Sequence, residues 1–313
     1  MAQRPDLICL VGPTASGKTA LAVELALRYG TEVISADSMQ IYRGMDILSA
    51  APTQAEMRGV KHHLLRVCDP KEEFSVSRYV QLALPVVEEL RARGKIPLVA
   101  GGTGLYVDAL VKGSDFTARE GDAALRRQLE EQARQEGPQA LWRQLQQVDP
   151  ERAGQIHPNN TKRVIRALEI YHLTGKTMTQ TWKEQSPDRR YRAVRLVLCP
   201  RERDVLYQRI DRRVDGMVER GLLDEARRLY ERGGLSQTAG QAIGYKELIP
   251  YFRGEDTLEN CLETVRRESR RYAKRQLTWF RRDQTAHWLF YEKEDGLEKI
   301  VQDSTQYLQT LGV

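Results

Sequence analysis

The run "LICLVGPTASGKT", Leu7 to Thr19, constrains the fold more than any other stretch of this chain. Five apolar residues lead into the pattern G-x-x-x-x-G-K-[ST], with Gly12, Gly17, Lys18 and Thr19 in the required places. A helical pattern follows from Lys18 to Tyr29, with Leu21, Leu25 and Ala26 on its apolar side. A glycine loop between a strand and a helix wraps closely around phosphate. Its backbone N–H groups point inward, and the helix N-terminus adds partial positive charge. Gly12, Pro13, Thr14, Ala15, Ser16, Gly17, Lys18 and Thr19 are therefore the expected diphosphate- or nucleotide-binding loop. Lys18 supplies a mobile cation and the Thr19 hydroxyl is placed for Mg²⁺. A chance match in a glycine-containing turn is the alternative, and the strand and helix on either side weigh against it.

The same alternation continues through the first hundred residues. "EVISA" and "IPLVA" are apolar strands, "HHLLRV" is a third candidate, and "SRYVQLALPVVEELRARG" is a helix interrupted or kinked near Pro85. Apolar strands separated by helices imply a parallel sheet covered on both faces. From about Thr117 to Arg190 the chain turns polar and helical, without a convincing strand. "RAVRLVLCP" then restarts the strand pattern, and "HWLFY" is a late short strand. The expected fold class is α/β, a P-loop NTPase-like parallel sheet core with an inserted all-helical domain. Its expected parts are residues 1–116 as the first part of the core, 117–190 as the insertion, and 191–313 as the rest of the core with a basic helix.

At 313 residues, with 41% hydrophobic and 29% charged, the chain has the composition of an ordinary globular protein. No apolar stretch approaches the roughly 18 residues that span a bilayer, and the N-terminus runs straight into a strand, so a cytoplasmic location with no membrane partner is expected. The four cysteines form no C-x-x-C pair, which suggests neither zinc nor a disulfide framework. The histidines show no ligand spacing: His62 and His63 are adjacent on a presumed strand and point to opposite faces.

Charge is distributed unevenly. "RRESRRYAKRQLTWFRR", Arg266 to Arg282, carries eight basic residues against one acid, Glu268, within a net charge of +6 for the whole chain. On a helix at roughly 100° per residue, all eight fall in one half of the wheel, while Tyr272, Trp279 and Phe280 fall in the other. A localised, nearly single-signed face points to nucleic acid or diphosphate; a solvated charged surface is the alternative. "NNTKRVIRALEIYHLTGK" puts a weaker basic group, Lys162, Arg163 and Arg166, near a helix start, where backbone phosphates bind well.

The phosphate loop does not by itself specify the chemistry. NTPases usually carry an apolar strand ending in an acid that helps to hold the metal, but "KIPLVAGGTG" ends in glycines and Thr103. The carboxylate of interest is instead Asp37, after "VISA", where the C-terminal ends of parallel strands form the ligand crevice. It is a candidate for chemistry or for capping the next segment. Thr103, at the end of another strand, is equally placed to present a hydroxyl, whereas "GGTG" also reads as a tight turn.

The joint, ordered set "GPTASGKT", "ISADSMQIYRGMDI", "HHLL", "VAGGTGLY", "QIHPNNTKRVIRALEIY" and "AIGYKEL" resembles the tRNA dimethylallyltransferases, the bacterial tRNA isopentenyltransferase family. The match runs from near Leu7 to about Trp288. The resemblance implies that the loop grips the diphosphate of dimethylallyl diphosphate, with Mg²⁺ at Thr19, and that the dimethylallyl group passes to the exocyclic amine of the adenosine 3′ of the tRNA anticodon. It implies Asp37 as general base, Lys18 and Thr103 as further catalytic residues, and Ser38, Met39 and Gln40 lining the flipped base. Asp37 and Thr103 would also contact the tRNA. Further tRNA contacts would be Arg126, Lys162, Arg163, Val164, Ile165 and Arg166 in the insertion, and Gln241, Ala242, Ile243, Gly244, Tyr245 and Lys246 in the core. The implied partners are the tRNA anticodon stem-loop and the diphosphate donor, with a monomer as the default state. Two other readings explain the loop but not the motif set. One is a P-loop kinase of a small metabolite, and the other is an RNA-binding switch protein that responds to nucleotide.

Overall fold

The computed structural model describes residues 4–112, 122–184 and 190–313. Contacts divide the chain into two compact units, Met1–Gly113 with Arg190–Val313, and Ser114–Arg189. The expected boundary between residues 116 and 117 lies outside the described residues.

The first unit is built on β1 (Leu7–Val11), β2 (Val33–Ser35), β3 (His62–His63), β4 (Leu98–Gly101), β5 (Ala193–Pro200) and β6 (His287–Tyr291), in the spatial order β3-β2-β4-β1-β5-β6 with every pair parallel. Its helices are α1 (Lys18–Tyr29), α2 (Gln54–Met57), α3 (Val76–Ala92) and α4 (Gly104–Lys112). In the second unit lie α5 (Ala123–Glu136), α6 (Pro138–Val148), α7 (Pro150–Gly154), α8 (Thr161–Thr174) and α9 (Met178–Glu184). The chain then returns to the first unit with α10 (Arg203–Glu219), α11 (Leu222–Arg232), α12 (Ile249–Phe252), α13 (Leu258–Phe280) and α14 (Leu297–Thr310).

All five residues of β1 are buried, as a central parallel strand requires. On one face Ile8, Leu10, Leu196, Leu198 and Leu289 pack with Leu21 and Leu25 of α1 and Val301 and Leu308 of α14. On the other, Cys9 lies near Tyr79 of α3, whose ring stacks on Tyr106 of α4 at 4.3 Å between centroids. The third strand is only two residues long, much shorter than "HHLLRV". Helix α3 runs through Pro85 without ending.

The second unit has its own core of Leu129, Leu141, Leu145, Ile156, Val164, Ile165 and Leu168. Trp142 donates its indole N–H to the carbonyls of Ala153 and Ile156 at 3.1 and 2.8 Å, which ties α6 to the α7 region. No strand occurs among its described residues.

Candidate active site

The phosphate loop takes its shape from groups far away in sequence. At Gly12, where φ is +151°, a Cβ would lie 2.3 Å from the carbonyl oxygen of Leu198, so β5 approaches too closely for any side chain. Ala15 takes φ +62°, a left-handed conformation that the surroundings must enforce. Three side chains do so. Gln276 accepts from Thr14 N–H at 2.8 Å, Arg209 donates to Ala15 O at 2.8 Å, and Tyr291 donates to Ser16 O at 2.8 Å. Lys18 Nζ donates to Pro13 O at 2.6 Å, folding its cation back over the loop. The first N–H groups of α1 have no intrahelical acceptor and remain for an anion.

Thr14, Lys18 and Thr19 line a cavity of about 380 Å³ together with Asp37, Ser38, Met39, Gln40, Gln241, Ala242, Ile243 and Lys246. That volume suits a small molecule. The structure thus brings together the loop, the end of β2 and the 241–246 turn, which the sequence placed separately. Asp37 Oδ1 accepts from Met39 N–H at 2.9 Å and Gln40 N–H at 3.4 Å. No hydrogen bond to Oδ2 occurs among the described residues. Asp37 therefore caps the next turn with one oxygen, as one of the two sequence readings expects, and leaves the other without a protein partner among the described residues in the cavity lining.

Some expected site residues stand elsewhere. Thr103 is absent from the cavity lining; its hydroxyl accepts from Ser38 N–H at 3.0 Å, one layer behind Asp37. Gly244 and Tyr245 are buried and shape their turn instead of facing the cavity. Gly244, at φ +96°, packs against Leu48, and its N–H donates to Glu247 at 2.9 Å. In the second unit, Val164 and Ile165 are core residues at 0% and 4% exposure, so their side chains are corrected from a tRNA surface to the interior. Lys162 and Arg163 are exposed in the first turn of α8. Arg126 and Arg166 converge on Glu169, whose side chain is 0% exposed, at 2.9 and 2.5 Å.

Among the cavity residues that escaped the sequence reading are Arg213 of α10 and Tyr272 and Gln276 of α13, while Arg275, expected only on the basic face of α13, also lines the cavity. Their signal was weak but present. Ile210, Val214 and Met217 form the buried stripe of α10 that carries Arg213 along its edge, and Gln276 sits in the stripe Val265, Ala273, Phe280. A polar residue on a buried stripe needs a partner. Conversely, much of the basic face of α13 is neutralised. Arg266 pairs with Asp215 at 2.6 Å, Arg270 with Asp211 and Glu263 at 2.7 Å each, and Arg271 with Glu268 at 2.6 Å.

Electrostatically the cavity is cationic around one carboxylate. Burial, and then Arg213, hold the Lys18 ammonium down at a pKa of about 7, against the pull of Asp37. Burial likewise lowers Arg213, which Asp37 offsets. Burial and Asp37 raise Tyr272, keeping it a neutral donor. For Mg²⁺ the donor set fits. No group of three His, Cys, Asp or Glu side chains that could hold a metal occurs among the described residues, but the Thr19 hydroxyl offers one hard oxygen donor in the cavity beside the phosphate loop. Magnesium is commonly held by one or two protein oxygens, phosphate oxygens and water.

Parallel sheet, glycine loop and a cavity lined by Lys18 and Arg213 define a P-loop α/β protein. The family model for IPP transferase matches residues 40–283, and this chain belongs to that family. It is 50% identical over 300 residues to the tRNA dimethylallyltransferase of Halalkalibacterium halodurans, covering 96% of this chain and 95% of that one. It is 44% identical over 309 residues to that of Acetivibrio thermocellus, covering 98% and 99%. Among solved structures, the full-length tRNA isopentenylpyrophosphate transferase of Bacillus halodurans matches with TM-score 0.72 and 46% identity over 98% of this chain and 97% of that one. A eukaryotic dimethylallyltransferase acting on tRNA matches with TM-score 0.83 and 30% identity over 97% and 79%.

Proposed function

We propose that this protein is a tRNA dimethylallyltransferase. It transfers the dimethylallyl group of dimethylallyl diphosphate to the N6 amine of the adenosine 3′ of the anticodon, leaving N6-isopentenyladenosine and diphosphate. The observation that carries this reading is the shared cavity: Lys18 and Thr19 of a phosphate loop face the same space as Asp37.

The bond that forms joins the adenine nitrogen to the allylic carbon, and the bond that breaks joins that carbon to a diphosphate oxygen. The electron pair leaves with the diphosphate, where Lys18, Arg213 and the loop amides meet the growing charge. An adenine amine is a poor nucleophile, so its proton passes to Asp37 Oδ2 as the bond forms. Thr103 supports this from behind, through Ser38. The base must leave the anticodon stack to reach the cavity, at a cost of a few kcal/mol; Met39, Gln40 and the 241–246 turn provide its walls. Bound Mg²⁺ would be held at Thr19 and would neutralise diphosphate charge.

Exposed Lys162 and Arg163, and the half-exposed Arg126 and Arg166, provide the second unit's tRNA contacts through phosphates. No helix among the described residues is long and apolar enough to cross a membrane. A tRNA substrate fits a cytoplasmic enzyme, and one cavity complete within a single chain fits a monomer.

Measuring release of diphosphate from the donor, with and without an anticodon stem-loop RNA, tests the reading. Release should require the RNA. ATP consumption without RNA would favour a metabolite kinase.

A further inference from the structure

Gln276 is 5% exposed and makes two hydrogen bonds that no local structure requires. Its Oε1 accepts from Thr14 N–H of the phosphate loop at 2.8 Å, and its Nε2 donates to Gly102 O at 3.0 Å. Gly102 follows β4 and precedes Thr103, whose hydroxyl accepts from the N–H of Ser38, the neighbour of Asp37. A Cβ on residue 102 would lie 2.1 Å from Gln276 Nε2, so the amide can seat there only against glycine. One turn earlier on α13, Tyr272 lies beside both Thr103 and Gln276.

We propose that Gln276 is a positioning residue for the transfer: its single carboxamide sets the spacing between the loop that holds the leaving diphosphate and the strand end that carries the base. This rests on the function proposed above. A carboxamide presents an acceptor and a donor on one rigid plane, so two bonds fix two backbones relative to each other. Gln276 acts through Thr14 and Gly102 rather than on the reacting atoms. Its effect follows from geometry, because a shift of about 1 Å between reacting groups costs on the order of 10²-fold in rate. Placing this polar side chain on the buried stripe of α13 would otherwise be unfavourable, and the two bonds account for it.

The test compares Gln276→Met, which fills similar volume without either bond, with Gln276→Glu, which at neutral pH keeps only the acceptor. Four quantities are read for each: kcat and donor KM with stem-loop RNA, affinity for inorganic diphosphate by calorimetry, Tm, and amide exchange at Thr14. Both variants should stay folded with a modest fall in Tm, lose about 10- to 100-fold in kcat, and hold donor KM and diphosphate affinity within about threefold. Thr14 N–H should exchange faster in Gln276→Met but not in Gln276→Glu. Relative to the native protein, Gln276→Glu should regain kcat as pH falls, because its protonated carboxyl can again donate to Gly102 O. A kcat within about twofold of native in Gln276→Met would overturn the proposal. So would parallel loss of kcat, diphosphate affinity and Tm in both variants, since that is what a packing role alone produces. Failure of the native protein to modify RNA would instead overturn the functional reading. The exchange of Thr14 still judges the clasp in that case, and unchanged exchange in Gln276→Met would reject it.

Discussion

Arg213 of α10 and Lys18 of the phosphate loop line one cavity, and Arg213 is the charge that helps burial hold Lys18 down at a pKa of about 7. The free site therefore holds its lysine partly neutral at physiological pH. A bound diphosphate reverses the balance, because an adjacent anion favours the charged ammonium.

A proton should therefore be taken up when diphosphate binds above pH 7. The free pKa is lowered and the bound pKa is raised, so affinity falls as pH rises through 7 toward the bound value. Calorimetry at pH 8 in buffers of different ionisation heats should show uptake of up to about one proton per site, lost in Lys18→Met. Equal proton uptake in native and Lys18→Met proteins would contradict the assignment.

Substituting Asp37 by Asn keeps an oxygen to accept from Met39 and Gln40 N–H but removes the proton acceptor. Turnover should fall by about 10²- to 10⁴-fold, while tRNA affinity by filter binding stays within a few-fold. A loss confined to binding would remove the general-base role.

The Arg126–Glu169–Arg166 cluster predicts a stability effect separate from RNA binding. Either arginine alone leaves Glu169 one partner, whereas Arg126→Ala with Arg166→Ala strands a carboxylate whose side chain is 0% exposed. Denaturant unfolding of the double variant should show a loss of about 3–5 kcal/mol, more than the two single losses combined. Additive losses would mean that the carboxylate reaches water.

Along α13 the basic residues should divide into two groups. Arg266, Arg270 and Arg271 already face carboxylates, while Lys274, Arg281 and Arg282 have no ion pair among the described residues. Alanine at Lys274, Arg281 or Arg282 should reduce the slope of log affinity for tRNA against log salt by about 0.7–0.9 for each phosphate that the side chain neutralises. Alanine at Arg266 or Arg270 should leave it nearly unchanged. The opposite pattern would return the binding face to the paired arginines.

The division between legible and illegible features has physical causes. "LICLVGPTASGKT" carries its own strand, loop and helix start, so the phosphate site could be read from thirteen consecutive residues. "HWLFY" became β6 with the same ends, its apolar run stopping at Glu292. Arg213, Tyr272 and Gln276 reach the cavity only through tertiary packing of α10 and α13, and no local spacing announces that. The basic wheel of α13 was correct as geometry, but its counter-charges Asp211 and Asp215 lie on another helix. Val164 and Ile165 lie within a family motif, and the motif alone could not separate residues that touch RNA from those that hold the helix.

The most direct measurement is mass spectrometry of an unmodified anticodon stem-loop, adenosine-rich 3′ of the anticodon, after incubation with the protein, Mg²⁺ and dimethylallyl diphosphate. A gain of one dimethylallyl group, located by fragmentation on the adenosine next to the anticodon, is the predicted result. No gain on either the stem-loop or full-length tRNA, alongside ATP turnover on a panel of small metabolites, would contradict it.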